Sequence, residues 1–201
     1  SFDEVHAAHY EQALGLLEGD VDALLVETVY DLLQAKAAII AAKDALAELG
    51  RELPILCTVT IETTGQMLMG SEIGAALTTL EPLGLAALGV NCATGPEMMH
   101  EHLRYLAQHS TLPIMVQPNA GLPRVENGQA VYDLSAAQLA AAHETFIADY
   151  SARIIGGCCG TTPEHMRAVV DAVWGRVAPE RTADFELGAS SLFTPVPYEQ
   201  D

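Results

Sequence analysis

The chain has 201 residues, of which 50% are hydrophobic, enough to bury one domain core and to exclude disorder for its body. Against 9 basic residues stand 27 acidic ones, and a formal charge of −18 repels nucleic acid and anionic membranes. No apolar run approaches the roughly 18 to 20 residues of a membrane span. No signal peptide is visible, and the four cysteines make no dense disulfide framework, so a reducing, cytoplasmic setting is expected.

Ser1 and Glu4 have the spacing of a capping box, so the chain opens on a helix that runs to about Gly19. The apolar run Val21 to Glu27 reads as a strand, followed by a helix from about Leu32 to Leu49 that Gly50 stops. Pro54 to Ile61 is the second strand, with a helix from about Ser71 to Leu83. Leu85 to Val90 is the third, with a helix from about Thr94 to Gln108. Pro113 to Gln117 is the fourth, followed by a loop and a helix near Ser135 to Tyr150. Arg153 to Ile155 is the fifth, and its helix runs from Thr162 to about Val177. Strands that are apolar without alternation are buried on both faces, as in a parallel sheet covered by helices.

Five βα units leave an open doubly wound sheet or a (β/α)8 TIM barrel. No Gly-x-Gly-x-x-Gly fingerprint favours the first, and five strands cannot close the second. Because the chain opens on a helix with no strand before it, the expected α/β fold is the last five units of a TIM barrel, the first three strands lying upstream. Residues 1–177 form this part. Residues 178–201, with Pro179, Pro195 and Pro197 and no periodicity, are a linker or wrap leading out of it.

Two segments echo each other. Gly89-Val90-Asn91-Cys92-Ala93-Thr94-Gly95-Pro96-Glu97 aligns with Gly156-Gly157-Cys158-Cys159-Gly160-Thr161-Thr162-Pro163-Glu164. In each, Thr and then Glu three residues on cap a helix, so each cysteine stands at the carboxyl mouth of a strand. Cys92, Cys158 and Cys159 therefore converge on a three-thiolate site that suits zinc and leaves one position open. An incoming thiol held there loses its proton, and three anionic ligands leave its sulfur nucleophilic, so alkyl transfer to sulfur is the natural reaction. Cys57, inside an apolar run, reads as a small hydrophobe. His100 and His102 do not share a helix face, and His165 reads as a solvated helix start. Glu27-Thr28 puts a carboxylate at the first strand mouth, where it can pair with an ammonium group. Asn119 ends the fourth strand, where it can orient substrate, fill the open zinc position, or simply form a turn before Gly121.

Together these residues resemble the homocysteine S-methyltransferase family, zinc-dependent barrels, across essentially the whole chain. The matches are Glu27-Thr28, Gly89-Val90-Asn91-Cys92 and Gly156-Gly157-Cys158-Cys159-Gly160. The extensions Pro118-Asn119-Ala120-Gly121-Leu122-Pro123 and Gly160-Thr161-Thr162-Pro163-Glu164-His165 fit the cobalamin-dependent members better than the betaine-using ones. The resemblance implies zinc on Cys92, Cys158 and Cys159, homocysteine as the sulfur ligand, and Glu27 on its amino group. Thr28, Asn91 and Asn119 are counted with the substrate-binding residues, Asn119 as a fourth zinc ligand when substrate is absent. Methylcobalamin, carried on another module, would give methionine, and the tail Ser191 to Pro197 is similar to a segment leading to a folate-binding module. The family's Gly-rich turn for the homocysteine carboxylate lies outside this chain, so weak activity is expected without an upstream piece. A relative using betaine or S-methylmethionine, and a non-catalytic zinc or redox protein with Cys158-Cys159 as a switchable pair, are the alternatives.

Overall fold

The computed structural model describes residues 1–199. Helix α1 (Phe2–Glu18) starts on Ser1, whose hydroxyl accepts the Glu4 N–H while the Glu4 side chain reaches back, the reciprocal box expected from the spacing. Strand β1 (Leu24–Val29) leads to α2 (Leu32–Glu48), capped by the Asp31 carboxylate on the Gln34 N–H. Six buried alanines on α2 (35, 37, 38, 41, 42 and 45) let it lie close to α1 and the sheet. The order continues with β2 (Ile55–Val59), α3 (Ile73–Leu80), β3 (Ala87–Asn91), α4 (His100–His109) and β4 (Ile114–Gln117). A hairpin of β5 (Arg124–Glu126) and β6 (Gln129–Val131) intervenes before α5 (Ala136–Tyr150). Then come β7 (Ala152–Ile155) and α6 (Pro163–Val173), and last a small antiparallel pair, β8 (Gly188–Ser190) and β9 (Pro195–Pro197).

β1, β2, β3, β4 and β7 form one parallel sheet in that order. Sequence neighbours are sheet neighbours throughout, with no reversal of strand order. A doubly wound sheet reverses at a switch point, so this singly wound order is that of a barrel wall. All five residues of β3 are buried. Leu17, Ile39, Leu88, Leu103, Ile114 and Phe146 anchor the core on the helix side. At Gly89 a β-carbon would stand 1.8 Å from the Met115 carbonyl oxygen, so β3 and β4 approach only because that position has no side chain. No helix among the described residues is long and apolar enough to cross a membrane.

Three local readings change. The loop after β4 contains the β5–β6 hairpin, turned at Asn127 (φ 52°) and Gly128 (φ 78°). The cap before α6 is Thr162 with His165, not Thr161 with Glu164, because Pro163 takes the first helical position and fixes the residue before it as the cap. Pro96 likewise makes Gly95 the start of a short 3₁₀ turn over Pro96–Met98, with no side-chain cap, and α4 begins only at His100.

Beyond α6 the chain wraps rather than trails. Arg181 donates to the Ala107, Ser110 and Leu112 carbonyls at the end of α4, and the Glu72 N–H donates to the Phe193 carbonyl at 2.9 Å. The Ser71 hydroxyl donates to the Leu192 carbonyl, and the Phe193 ring lies against Gly70.

Candidate metal centre

The singly wound order delivers the ends of all five parallel strands to one edge, and the chemistry-bearing residues are there. Cys92 follows β3, Asn119 follows β4, and Cys158 and Cys159 follow β7. Cys92 sits in a tight turn with φ 63°, and Ala93 follows at 54°. The Cys92 N–H donates to the Gln117 carbonyl, and the Asn119 N–H to the Thr94 carbonyl. From the other side the Cys158 N–H donates to the Pro118 carbonyl and the Ala120 N–H to the Cys159 carbonyl. Backbone bonds thus splice the three loops together, and the thiols have little freedom to separate.

The sulfurs of Cys92, Cys158 and Cys159 all lie within 4.8 Å of one another. Cys92 and Cys159 are 3.7 Å apart, and Cys158 and Cys159 4.0 Å. Sulfurs placed tetrahedrally at about 2.3 Å from a zinc ion stand about 3.8 Å apart, so the separations fit that ion with little movement. Burial, then the sulfurs of Cys92 and Cys159, push the Cys158 thiol up to about 12. A thiol held protonated in this way is what a soft divalent cation would relieve. Cys57 stays apart in β2, fully buried, its thiol pushed up to about 12 by burial alone.

Asn91 is fully buried and ties β1 to the cluster. Its Oδ1 accepts the Thr28 N–H at 3.1 Å, and its Nδ2 donates to the Thr28 hydroxyl at 2.7 Å and toward the Cys158 sulfur at 3.8 Å. Thr28 needs that support, since its φ of 60° is a strained conformation for a β-branched residue. The register of β1 against β2 shifts between Val26 and Val29, around Thr28. Asn119 is buried, and its Oδ1 accepts the Cys159 N–H at 3.0 Å, so it fixes the cysteine loop. Glu27 is exposed on the edge strand, with no hydrogen bond or ion pair among the described residues, and it borders a groove with His9 and Leu25 rather than touching the sulfurs.

Three residues near the cluster went unread in the sequence. Burial, then the charge of Cys92, raises the Tyr30 phenol, so its ring stands near the thiols at the end of β1. Tyr132, just past β6, has its ring against Gly160 and its phenol raised by burial and then by the charge of Cys159. Gln117 pairs with Asn91 in register and keeps a buried Oε1 without a partner among the described residues. The Asn127-Gly128 turn signal would have found the hairpin, and with it Tyr132. No local signal marks Tyr30 or Gln117. Of the histidines, His100 bonds the Tyr150 hydroxyl at 3.0 Å, His102 is buried, and His165 closes the α6 cap and bonds the Leu134 carbonyl at 2.8 Å. None joins the sulfurs.

A family model described as homocysteine S-methyltransferase matches residues 1–173. The chain is 51% identical over 197 residues to a methionine synthase of Mycobacterium tuberculosis, and 50% identical over 201 residues to one of Mycobacterium leprae. Both alignments cover 98% of this chain, which spans only 16% and 17% of those two proteins. Among solved structures, the homocysteine methyltransferase MmuM of Escherichia coli in its apo form is similar at a TM-score of 0.65 and 25% identity, over 86% of this chain and 57% of that one.

Proposed function

The chain belongs to the homocysteine S-methyltransferase family, and from that premise we propose that it is the part of a zinc-dependent methyltransferase that binds and activates homocysteine. The observation that carries the reading is the convergence of three cysteine sulfurs within 4.8 Å at the carboxyl edge of the sheet. Cys92, Cys158 and Cys159 hold the metal. Bound zinc supplies a Lewis acid that lowers the pKa of an incoming thiol and keeps its thiolate reactive.

The remaining work falls to the chain's own residues. Asn91 and Asn119 fix the cysteine loops, the first through Cys158 and Thr28, the second through the Cys159 N–H. Glu27, beside the pinned Thr28, pairs with the substrate ammonium group. The homocysteine thiol gives its proton to solvent on binding. Its sulfur lone pair then forms the S–CH₃ bond, while the donor keeps the electron pair of the bond it loses, giving methionine.

The methyl donor is methylcobalamin carried by another module, a reading supported by relatives named methionine synthase that are far longer than this chain. On this reading residues 1–177 are the homocysteine-binding part and residues 178–201 lead toward a folate-binding neighbour. A cytoplasmic location keeps the thiols reduced.

X-ray absorption at the zinc edge tests the proposal. Adding homocysteine should replace one light-atom ligand with a fourth sulfur. A coordination shell indifferent to homocysteine overturns it.

A further inference from the structure

Next to the strand that ends in Cys92, the carboxyl edge also carries the loop from β2 to α3. Two turns build that loop. In the first the Glu62 N–H donates to the Gln66 carbonyl at 2.8 Å, and in the second the Met67 N–H donates to the Ser71 carbonyl at 2.8 Å. Met67 is buried under the second turn, while Leu68 and Met69 stand exposed at its tip. Glu72 takes the cap position of α3 with no side-chain hydrogen bond among the described residues, so the helix start has no cap of its own.

Support comes instead from the far end of the chain. The Ser71 hydroxyl and the Glu72 N–H both donate to the tail, at the Leu192 and Phe193 carbonyls. These two residues form the tip of the β8–β9 hairpin, closed by Ser191, whose hydroxyl accepts the Phe193 and Thr194 N–H groups at 3.1 and 3.0 Å. The base of the tail is fixed at the opposite edge of the sheet. There Arg181 donates to the carbonyls that end α4, and the Asp184 N–H donates to the Gln108 carbonyl at 2.6 Å. The tail thus runs from one edge to the other along α3 and α4.

Glycines cut the seat. A β-carbon at Gly70 would stand 2.9 Å from the Phe193 ring, and one at Gly188 would stand 2.6 Å from the Val196 carbonyl oxygen. At Gly74 it would stand 2.9 Å from Pro195 and 2.8 Å from the Tyr105 hydroxyl. Gly74 lies inside α3, where alanine is the better helix former. Tail atoms occupy the place of its β-carbon, so the contact is part of the fold.

We propose that residues 181–197 are a strap that sets the position of the β2–α3 loop, so that the tail and the rim of the candidate metal centre move together. A plain linker would leave the loop indifferent to the tail. On the reading above, which this consequence rests on, the same strap leads toward a neighbouring module. A displacement of that module is then passed to the rim through Leu192 and Phe193.

Hydrogen exchange of the full chain, as wild type, Phe193→Ala and Gly74→Ala, tests the strap without metal or substrate. Phe193→Ala removes a half-exposed ring and leaves the α3 sequence unchanged. Gly74→Ala favours the helix but pushes Pro195 away from it. Both should speed exchange across residues 62–72 about 5- to 30-fold, the population change that losing one or two ordinary hydrogen bonds brings. Exchange in α1 and α2 should not change. Loop protection equal to wild type in both variants overturns the strap, and so does a loss spread evenly into α1 and α2, which is general destabilisation. A protein that takes up no zinc sinks the zinc reading alone, since the exchange pattern is read without metal.

Discussion

Replacing Asn91 by Ala tests whether one buried amide holds both the strained turn after β1 and the cysteine cluster. The substitution removes two hydrogen bonds to Thr28, at 3.1 and 2.7 Å, and the longer contact to Cys158. Two bonds at roughly 1 kcal/mol each, plus about 1–2 kcal/mol for leaving the Thr28 N–H and the vacated space unfilled, give an expected loss of about 3–4 kcal/mol. Urea unfolding with a chelator present keeps metal linkage out of the measurement. Circular dichroism is the appropriate signal, since the single tryptophan, Trp174, is 84% exposed and responds little to unfolding. Thr28→Gly closes the cycle. It removes the hydroxyl partner but relieves a φ of 60°, which costs a threonine about 1–2 kcal/mol. The double variant should be less destabilised than the sum of the singles by about 1 kcal/mol, the shared bond being lost only once. A loss below 1 kcal/mol in Asn91→Ala, with strict additivity, refutes the account.

Gly89→Ala should abolish soluble expression or cost more than about 3 kcal/mol, because its β-carbon would meet the Met115 carbonyl oxygen of the neighbouring strand; wild-type thermal stability would sink this reading. His143 is fully buried and neither ring nitrogen has a hydrogen-bond partner among the described residues, while burial lowers its pKa from 6.5 to about 4, an effect the nearby Gly156 backbone only partly offsets. A depressed histidine favours the fold above the unfolded pKa, and this contribution, roughly 3 kcal/mol at most, drains away as pH falls from 6.5 toward 4. His143→Leu should flatten stability over that window, and an unchanged slope counts against it. Glu27→Gln should raise the homocysteine KM about 10- to 100-fold, the range for losing a charged hydrogen bond, with zinc affinity unaltered; an unmoved KM removes Glu27 from the substrate site.

The five parallel strands were legible because each is a short apolar run between turn signals, although burial on both faces holds for the inner strands β2, β3 and β4 and not for β1 and β7 at the sheet's edges. The cysteine convergence followed from the same regularity, since equal strand ends bring residues to one edge. Boundaries near the site failed where two local rules competed. Thr161 and Thr162 both precede Pro163, and the proline decides for Thr162; the Thr161 hydroxyl instead donates to the Cys158 carbonyl at 2.7 Å. The left-handed backbone at Thr28 has no signature in the residue type, because threonine disfavours it and only Asn91, from a distant strand, sustains it. Tyr30 and Gln117 reach the site through sheet register alone. Glu27 reads from the sequence as closing the first strand, whereas β1 runs on to Val29, and its exposure on an edge strand depends on packing that no spacing reveals.

The cysteines that meet at 3.7 Å are separated by 67 positions along the chain. Bringing them together requires β3, β4 and β7 to have zipped in order, with two helices already laid across the back. Closing that length of chain costs entropy that strand pairing must repay, so the joint ligand set depends on the sheet being assembled. On the proposed zinc reading, a chain that has mispaired its last strand would offer isolated thiols and bind the metal weakly. Loading with metal would clamp the β7–α6 end to the middle of the sheet. Stripping it should loosen that end first, seen as faster amide exchange in α5 and α6 while α1 and α2 stay protected.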